Sequence, residues 1–145
     1  MRITLQRVSR AVCTVDSQVT GQIARGLLLF VGFTDGDKPE LLPIAIKKCL
    51  ELRIFPDANG KLNLSLLDVQ GSILAISQFT LYANCSRGRR PDFTQAAAPD
   101  LARQLYNEFV ALLKQSGVET QTGIFAADMQ VSLVNEGPIT INLEW

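Results

Sequence analysis

The period of apolar and polar positions changes several times along the chain, and those changes predict its elements. Arg2 to Val8 alternates loosely, as a strand half-covered by a core should. Ala11 to Val15 reads as a second strand. Asp16-Ser17 then reads as a turn, and Gln18 to Ala24 as the return arm of a hairpin. Leu27-Leu28-Leu29-Phe30-Val31 does not alternate and predicts a strand buried on both faces. Thr34-Asp35-Gly36-Asp37 ends it. A helical period follows, with Leu42, Ala45, Ile46, Cys49, Leu50 and Arg53 on one stripe of a helix from about Pro39 to Arg53. Asp35 or Asp37 is its candidate cap, and Pro39 suits its first turn.

Pro56-Asp57-Ala58-Asn59-Gly60 is a turn, and Leu62, Leu64 and Leu66 mark a short edge strand or an irregular segment. Ser72 to Leu81 reads as a strand and Ala83 to Ala98 as a polar loop. A second helix spans about Pro99 to Gln115, with Leu101, Leu105, Phe109 and Leu112 on one face and Gly117 as its cap. Three strands are expected after it: Val118 to Gly123, Met129 to Val134, and Ile139 to Glu144. Strands first and last with two main helices between them predict an α+β fold with a largely antiparallel, barrel-like sheet. At 145 residues, one domain over 1–145 is expected.

Composition narrows the function. A 47% hydrophobic and 19% charged chain suits a soluble protein. No apolar run approaches the roughly 20 residues of a membrane span. Met1-Arg2-Ile3-Thr4 lacks the apolar core of a secretory signal, so a cytoplasmic location is expected. Cys13, Cys49 and Cys85 form no C-x-x-C, which argues against a disulfide framework or a zinc site. Histidine is absent. That excludes Ser-His-Asp and Cys-His catalysis, and it leaves hydroxyls, carboxylates, backbone groups or the substrate itself to do chemistry. No metal or organic cofactor is expected. With 14 basic and 14 acidic residues, the overall field gives no push toward nucleic acid, so such a partner needs a local patch.

Four stretches carry candidate chemistry. Asn135-Glu136-Gly137-Pro138-Ile139-Thr140 reads either as a turn between two strands or as a turn offering bare backbone to a ligand. Ser77-Gln78-Phe79-Thr80-Leu81 reads either as an ordinary strand end or as a set of N–H donors for an oxyanion, with the Ser77 and Thr80 hydroxyls nearby. Thr80 as a nucleophile would need a base, and no histidine or nearby lysine offers one. Ser86-Arg87-Gly88-Arg89-Arg90-Pro91 is either a solvated loop or a phosphate contact, with Phe93 close to it in sequence. Phe125 and Met129 are either core or a slot for a flat base, and Asp128 between them is a lone carboxylate. Arg7, in the first strand, is expected to bond carbonyls near a functional turn, since an inward charge without a partner would be costly.

The two motifs S-Q-F-T at Ser77 to Thr80 and N-x-G-P-x-T at Asn135 to Thr140 resemble those of the D-aminoacyl-tRNA deacylases. Each is weak alone, and the pair is specific. Gln6-Arg7-Val8, Arg87-Gly88 with Pro91, and Phe125 to Val131 also fit, so the resemblance covers the whole chain. It implies hydrolysis of the ester between a D-amino acid, or glycine, and the 3′-terminal adenosine of tRNA. It implies a homodimer in which a cis Gly137-Pro138 bond enters the neighbouring subunit's site. There the carbonyls of the two residues would reject L side chains. Backbone around Gln78, Phe79 and Thr80 would hold the scissile carbonyl, and Ser77 would stand beside it. Phe125 and Met129 would hold the adenine, Arg7 would fix the Gly-Pro segment, and Asn135 and Thr140 would frame it. Two mechanisms stand open, Thr80 as nucleophile and assistance by the ribose 2′-OH, and the absence of a base favours the second. Two rivals remain: a deacylase with a trans Gly-Pro bond that accepts L substrates, and a non-catalytic module that binds tRNA ends.

Overall fold

A single strand of fourteen residues, β1 (Arg2–Val15), templates most of the sheet. The two segments expected at Arg2 to Val8 and Ala11 to Val15 are one element. Its first half pairs antiparallel with β3 (Gly26–Gly32), from Arg2 opposite Gly32 to Val8 opposite Gly26. Its second half pairs antiparallel with β2 (Gln18–Ile23), across the turn at Asp16 and Ser17. The structure, a computed structural model, describes residues 1–145.

Each helix lies on a crossover between parallel strands. From β3 the chain passes through a 3-10 turn (Pro39–Leu41) and α1 (Leu42–Glu51). After the small hairpin β4 (Phe55–Pro56) and β5 (Leu62–Leu64), it enters β6 (Ser72–Ser77), parallel to β3. From β6 it passes through α2 (Pro99–Gln115) to β7 (Thr120–Thr122), parallel to β6. The sheet is therefore mixed rather than largely antiparallel. The physical reason is that a helix between two strands of one sheet returns the chain in the direction it left. The fold is α+β all the same, and the sheet curls toward closure: a Cβ on Gly21 of β2 would stand 2.6 Å from the Thr122 carbonyl of β7.

Two apolar clusters sit on the two faces of the curled sheet. Leu27, Leu29, Val31, Ile73 and Ala75 face the helices, meeting Leu42, Ala45, Cys49, Leu105 and Phe109. Leu28, Leu74 and Ile76 face inward with Val8, Ala11, Cys13 and Ile23. That is why the Leu27 to Val31 run lacks alternation: both faces are dry. Each fully buried leucine there contributes about 1.5–3 kcal/mol. The stripe on α1 is the predicted one without Arg53, which is exposed and lies beyond the helix end. That of α2 is centred on Ala102, Leu105, Tyr106, Phe109 and Leu113, with Leu101 and Leu112 only half-buried at its margin.

Neither Asp35 nor Asp37 caps α1. Asp37 instead accepts from the N-terminal ammonium at 2.6 Å and from the Thr34 N–H at 2.9 Å. Asp35 accepts the Ala98 N–H at 3.1 Å, where α2 begins. No helix is long and apolar enough to cross a membrane.

The last strand, β8 (Gln130–Glu144), corrects the expectation of two strands joined by a turn. It runs antiparallel to β1 along nearly its whole length, on the edge opposite β3. Register shifts where Gln6 faces Thr140 and Val8 faces Asn135, so Arg7 alone opposes the four residues Glu136 to Ile139. The polar residues do not reverse the chain because β1 continues straight on beneath them. They are extruded as a bulge.

Candidate active site

A cavity of about 670 Å³ opens where β3, β6 and the N-terminus of α2 converge. It is lined by Val31 to Phe33, Ile76 to Phe79, Phe93, Ala96 to Pro99, Ala102, Phe125 to Met129 and Val131. Ser77, Gln78, Phe79, Phe125 and Met129, all singled out in the sequence, meet there. Thr80, Arg7 and the bulge residues Asn135, Gly137, Pro138 and Thr140 are not on its wall.

The polar end is built by a break in strand geometry. β6 stops at Ser77 and does not extend to Leu81 as expected; Phe79 to Tyr82 form a 3-10 turn. The Gln78 N–H donates to the Val31 carbonyl at 2.8 Å, which fastens the turn to β3 and commits that amide to the fold. Phe79 and Thr80 are the first residues of that turn, so their N–H groups have no partner inside it. The Thr80 hydroxyl accepts a hydrogen bond from the Gln78 side-chain amide. That amide is a donor and cannot take a proton from it.

Gly32 is the residue that sequence reasoning passed over here. A Cβ on it would lie 2.8 Å from the Gln78 carbonyl and 3.2 Å from the Leu81 Cβ. Only glycine lets the turn close against β3. The signal was available, since a lone glycine inside a strand run marks close backbone approach.

The apolar end is built from α2 and the segment before β8. Phe125 packs on Tyr106, ring centroids 5.9 Å apart, and the Arg103 guanidinium lies 4.5 Å over its ring. Tyr106 donates to the Ala75 carbonyl at 2.9 Å, and burial raises its hydroxyl well above the ordinary tyrosine range. Asp128 is the one acidic residue of the lining. Across the mouth, Phe79 and Phe93 meet edge to face with centroids 5.1 Å apart. Alanines 96, 97, 98 and 102 carry no chemistry and gave no sequence signal; they leave room.

The bulge on β8 is a second, separate construction. Arg7 is 6% exposed. Its Nε donates to the Glu136 carbonyl at 3.0 Å, and one terminal nitrogen donates to the Ile54 carbonyl. Its Nε also lies 3.3 Å from the Glu136 carboxylate. The Asn135 side chain accepts the Ile139 N–H at 2.8 Å and donates to the Thr140 hydroxyl at 2.9 Å, and Gln6 donates to that hydroxyl at 3.0 Å. Gly137 has φ +129, a conformation L side chains rarely adopt. The Gly137-Pro138 peptide bond is cis, as the resemblance implies, and not trans as its rival requires. Both residues are exposed.

Residues 4–144 match the family model described as D-Tyr-tRNA(Tyr) deacylase. Proteins named D-aminoacyl-tRNA deacylase from Clostridioides difficile (strain 630) and Geotalea uraniireducens (strain Rf4) are 52% and 51% identical over 144 residues. The matches cover 99% of this chain and 97% and 93% of theirs. One from Fervidobacterium nodosum is 49% identical, over 99% of this chain and 97% of its own. Among solved structures, the c-Myc DNA Unwinding Element Binding Protein superposes with a TM-score of 0.93 at 37% identity, covering 100% of this chain and 99% of that one. A structure described as a probable eukaryotic D-amino acid tRNA deacylase shares the fold at a TM-score of 0.85 and 21% identity, over 98% and 97% of the two chains. With a family match from end to end and relatives this similar over their full length, the chain belongs to the D-aminoacyl-tRNA deacylase family.

Proposed function

We propose that residues 1–145 act as one cytoplasmic domain that hydrolyses the ester between a D-amino acid and the 3′-terminal adenosine of tRNA. Glycine esters are accepted as well. The observation that carries the reading is the cavity itself, with the N-terminal N–H groups of a 3-10 turn beside one end and an aromatic, apolar wall at the other. An ester carbonyl and a nucleobase need those two environments.

In this reading water attacks the carbonyl carbon and the Phe79 and Thr80 N–H groups receive the developing oxyanion. The C–O bond to the ribose breaks, the 3′-oxygen takes a proton, and free amino acid and tRNA leave. The ribose 2′-OH helps activate the water, because the Thr80 hydroxyl has no base beside it. Phe125 and Met129 flank the adenine. No metal or cofactor takes part.

Rejection of L-amino acids falls to Gly137 and Pro138 of a second copy. What supports this is their position: exposed, on the free edge strand, braced by Arg7, and off the wall of their own chain's cavity. A long unpaired edge strand also calls for a cover. Carbonyls of a braced backbone make a wall that cannot swing aside as a side chain would.

The test is deacylation of D-tyrosyl-tRNA against L-tyrosyl-tRNA. The D ester should turn over much faster, and equal rates would overturn the reading. The rival, a non-catalytic module that binds tRNA ends, has only the nucleic-acid binding in the name of the 37% identical neighbour in its favour. It requires that no amino acid be released from either ester.

A further inference from the structure

We propose that Arg87, Arg89 and Arg90 grip the phosphates of the nucleotides preceding the terminal adenosine, so that the chain reads the single-stranded end of its RNA and not the last nucleoside alone. The proposal rests on the deacylase reading for the identity of the RNA.

Three observations place this contact. First, the loop starts and ends at the cavity mouth. It leaves the 3-10 turn that begins with Phe79 and returns to Phe93, and those two rings touch. An antiparallel bridge between Asn84 and Asp92 ties its two stems, with N···O distances of 2.7 and 3.0 Å. Arg90 is three residues from Phe93, so their Cα atoms are at most about 11 Å apart. A strand of RNA whose last base enters past Phe79 and Phe93 runs beside this loop.

Second, the three arginines are exposed, and none joins an ion pair. Other arginines are already engaged: Arg2 with Glu144, and Arg7 and Arg25 with Glu136. Gly88, at φ +66 with open space where a Cβ would stand, turns the chain between Arg87 and Arg89. Third, no acidic residue occurs between Asp68 and Asp92. In a chain of zero net charge, the charged side chains of residues 69–91 are all positive. Guanidinium forks suit phosphate oxygens, and such contacts hold a strand in register without reading its bases.

The test compares wild type with the Arg87→Ala/Arg89→Ala/Arg90→Ala variant on two substrates, D-tyrosyl-tRNA and 3′-O-D-tyrosyl-adenosine. The second substrate has no phosphates. Three contacts to a single strand release about two counterions, so the wild-type KM for tRNA should rise roughly twentyfold between 50 and 200 mM salt. The variant should lose most of that dependence, and its preference for tRNA over the adenosine ester should fall at least tenfold. The triple Arg→Lys variant, which keeps the charge, should retain most of both.

An equal loss on both substrates, or an unchanged salt slope, overturns the proposal. Anisotropy with an uncharged acceptor-stem hairpin ending in single-stranded CCA separates it from the deacylase reading. If wild type hydrolyses neither ester, the deacylase reading fails, yet a salt slope in RNA affinity that the variant lacks still supports the loop contact. Equal affinities for the hairpin at all salt concentrations overturn it.

Discussion

Arg7→Met swaps a buried guanidinium for a side chain of similar reach with no donors. The Glu136 and Ile54 carbonyls each lose a charged donor. Hydrogen bonds to charged groups contribute about 1.5–3 kcal/mol each, which sets an upper range of about 3–6 kcal/mol. Two effects reduce it. Methionine packs well against the Phe55 ring, which the guanidinium now faces at 5.9 Å. The Glu136 side chain is 38% exposed, so its carboxylate can turn to water and its ion pair adds little. A net loss of about 2–4 kcal/mol remains. With a urea dependence of about 1–3 kcal/mol per molar, the unfolding midpoint should fall by roughly 1–2 M at unchanged slope.

The functional signature is more specific. Arg7 holds the backbone of the bulge and is absent from the cavity wall. Discrimination between D- and L-tyrosyl-tRNA should therefore decline before turnover of the D ester does. Arg7→Lys keeps the charge but not the planar fork, whose Nε and terminal nitrogen reach carbonyls from β8 and from the chain just after α1. It should recover about half of the stability and little of the discrimination. An Arg7→Met protein with the wild-type urea midpoint and wild-type discrimination would refute the claim that this guanidinium sets the shape of the bulge.

Three further outcomes are expected. Thr80→Ala should keep activity within about tenfold of wild type, while a 2′-deoxy terminal adenosine should slow turnover by about 10²–10⁴; total loss in Thr80→Ala with substrate binding intact would restore threonine as the nucleophile. Gly32→Ala should push the Phe79–Tyr82 turn off β3, at about 1–3 kcal/mol in stability and a disproportionate loss of kcat; wild-type kcat would show that the turn tolerates displacement. Tyr106→Phe should cost about 1 kcal/mol at neutral pH through the lost bond to Ala75. Burial raises the Tyr106 pKa, so the unfolded chain ionises first and stability, complete below about pH 10, falls as pH rises through the folded value. Tyr106→Phe should flatten that fall in urea titrations from pH 9 to 11; an unaltered slope would assign it to Tyr82, whose hydroxyl burial pushes up to about 12.

What the sequence made legible was governed by local period and residue type. The α1 stripe, the doubly buried Leu27 to Val31 run and the hairpin at Asp16-Ser17 all follow from neighbours along the chain. What it concealed was set by distant partners. Asn135 to Thr140 has the composition of a turn, and nothing local says that β1 passes beneath it and keeps the strand running. The parallel pairing of β3, β6 and β7 depends on both helices packing against the same face of one sheet. In the site, Ser77, Gln78, Phe79, Phe125 and Met129 stood out by chemistry or motif, while the alanine floor was invisible because its contribution is the volume it leaves empty.

The strand order also bears on why the site as proposed would draw on two copies. β3 and β8 lie on opposite edges of β1. One edge carries Val31 and Gly32, which fix the Gln78 turn; the other carries Gly137 and Pro138. Each part is rigid because β1 runs continuously between them, and that same continuity keeps the bulge off the wall of its own cavity. A two-fold pair resolves this reciprocally, since each copy can donate a bulge and receive one. Hydrolysis and chiral rejection would then depend differently on association. In the proposed pair the oxyanion donors would belong to one chain and the wall would come from the other. Dilution through the dimer's dissociation range should therefore raise the rate on L-tyrosyl-tRNA relative to the D ester before all hydrolysis is lost. A constant D-to-L ratio across that range, with dissociation verified by sedimentation, would mean that the wall is built within one chain.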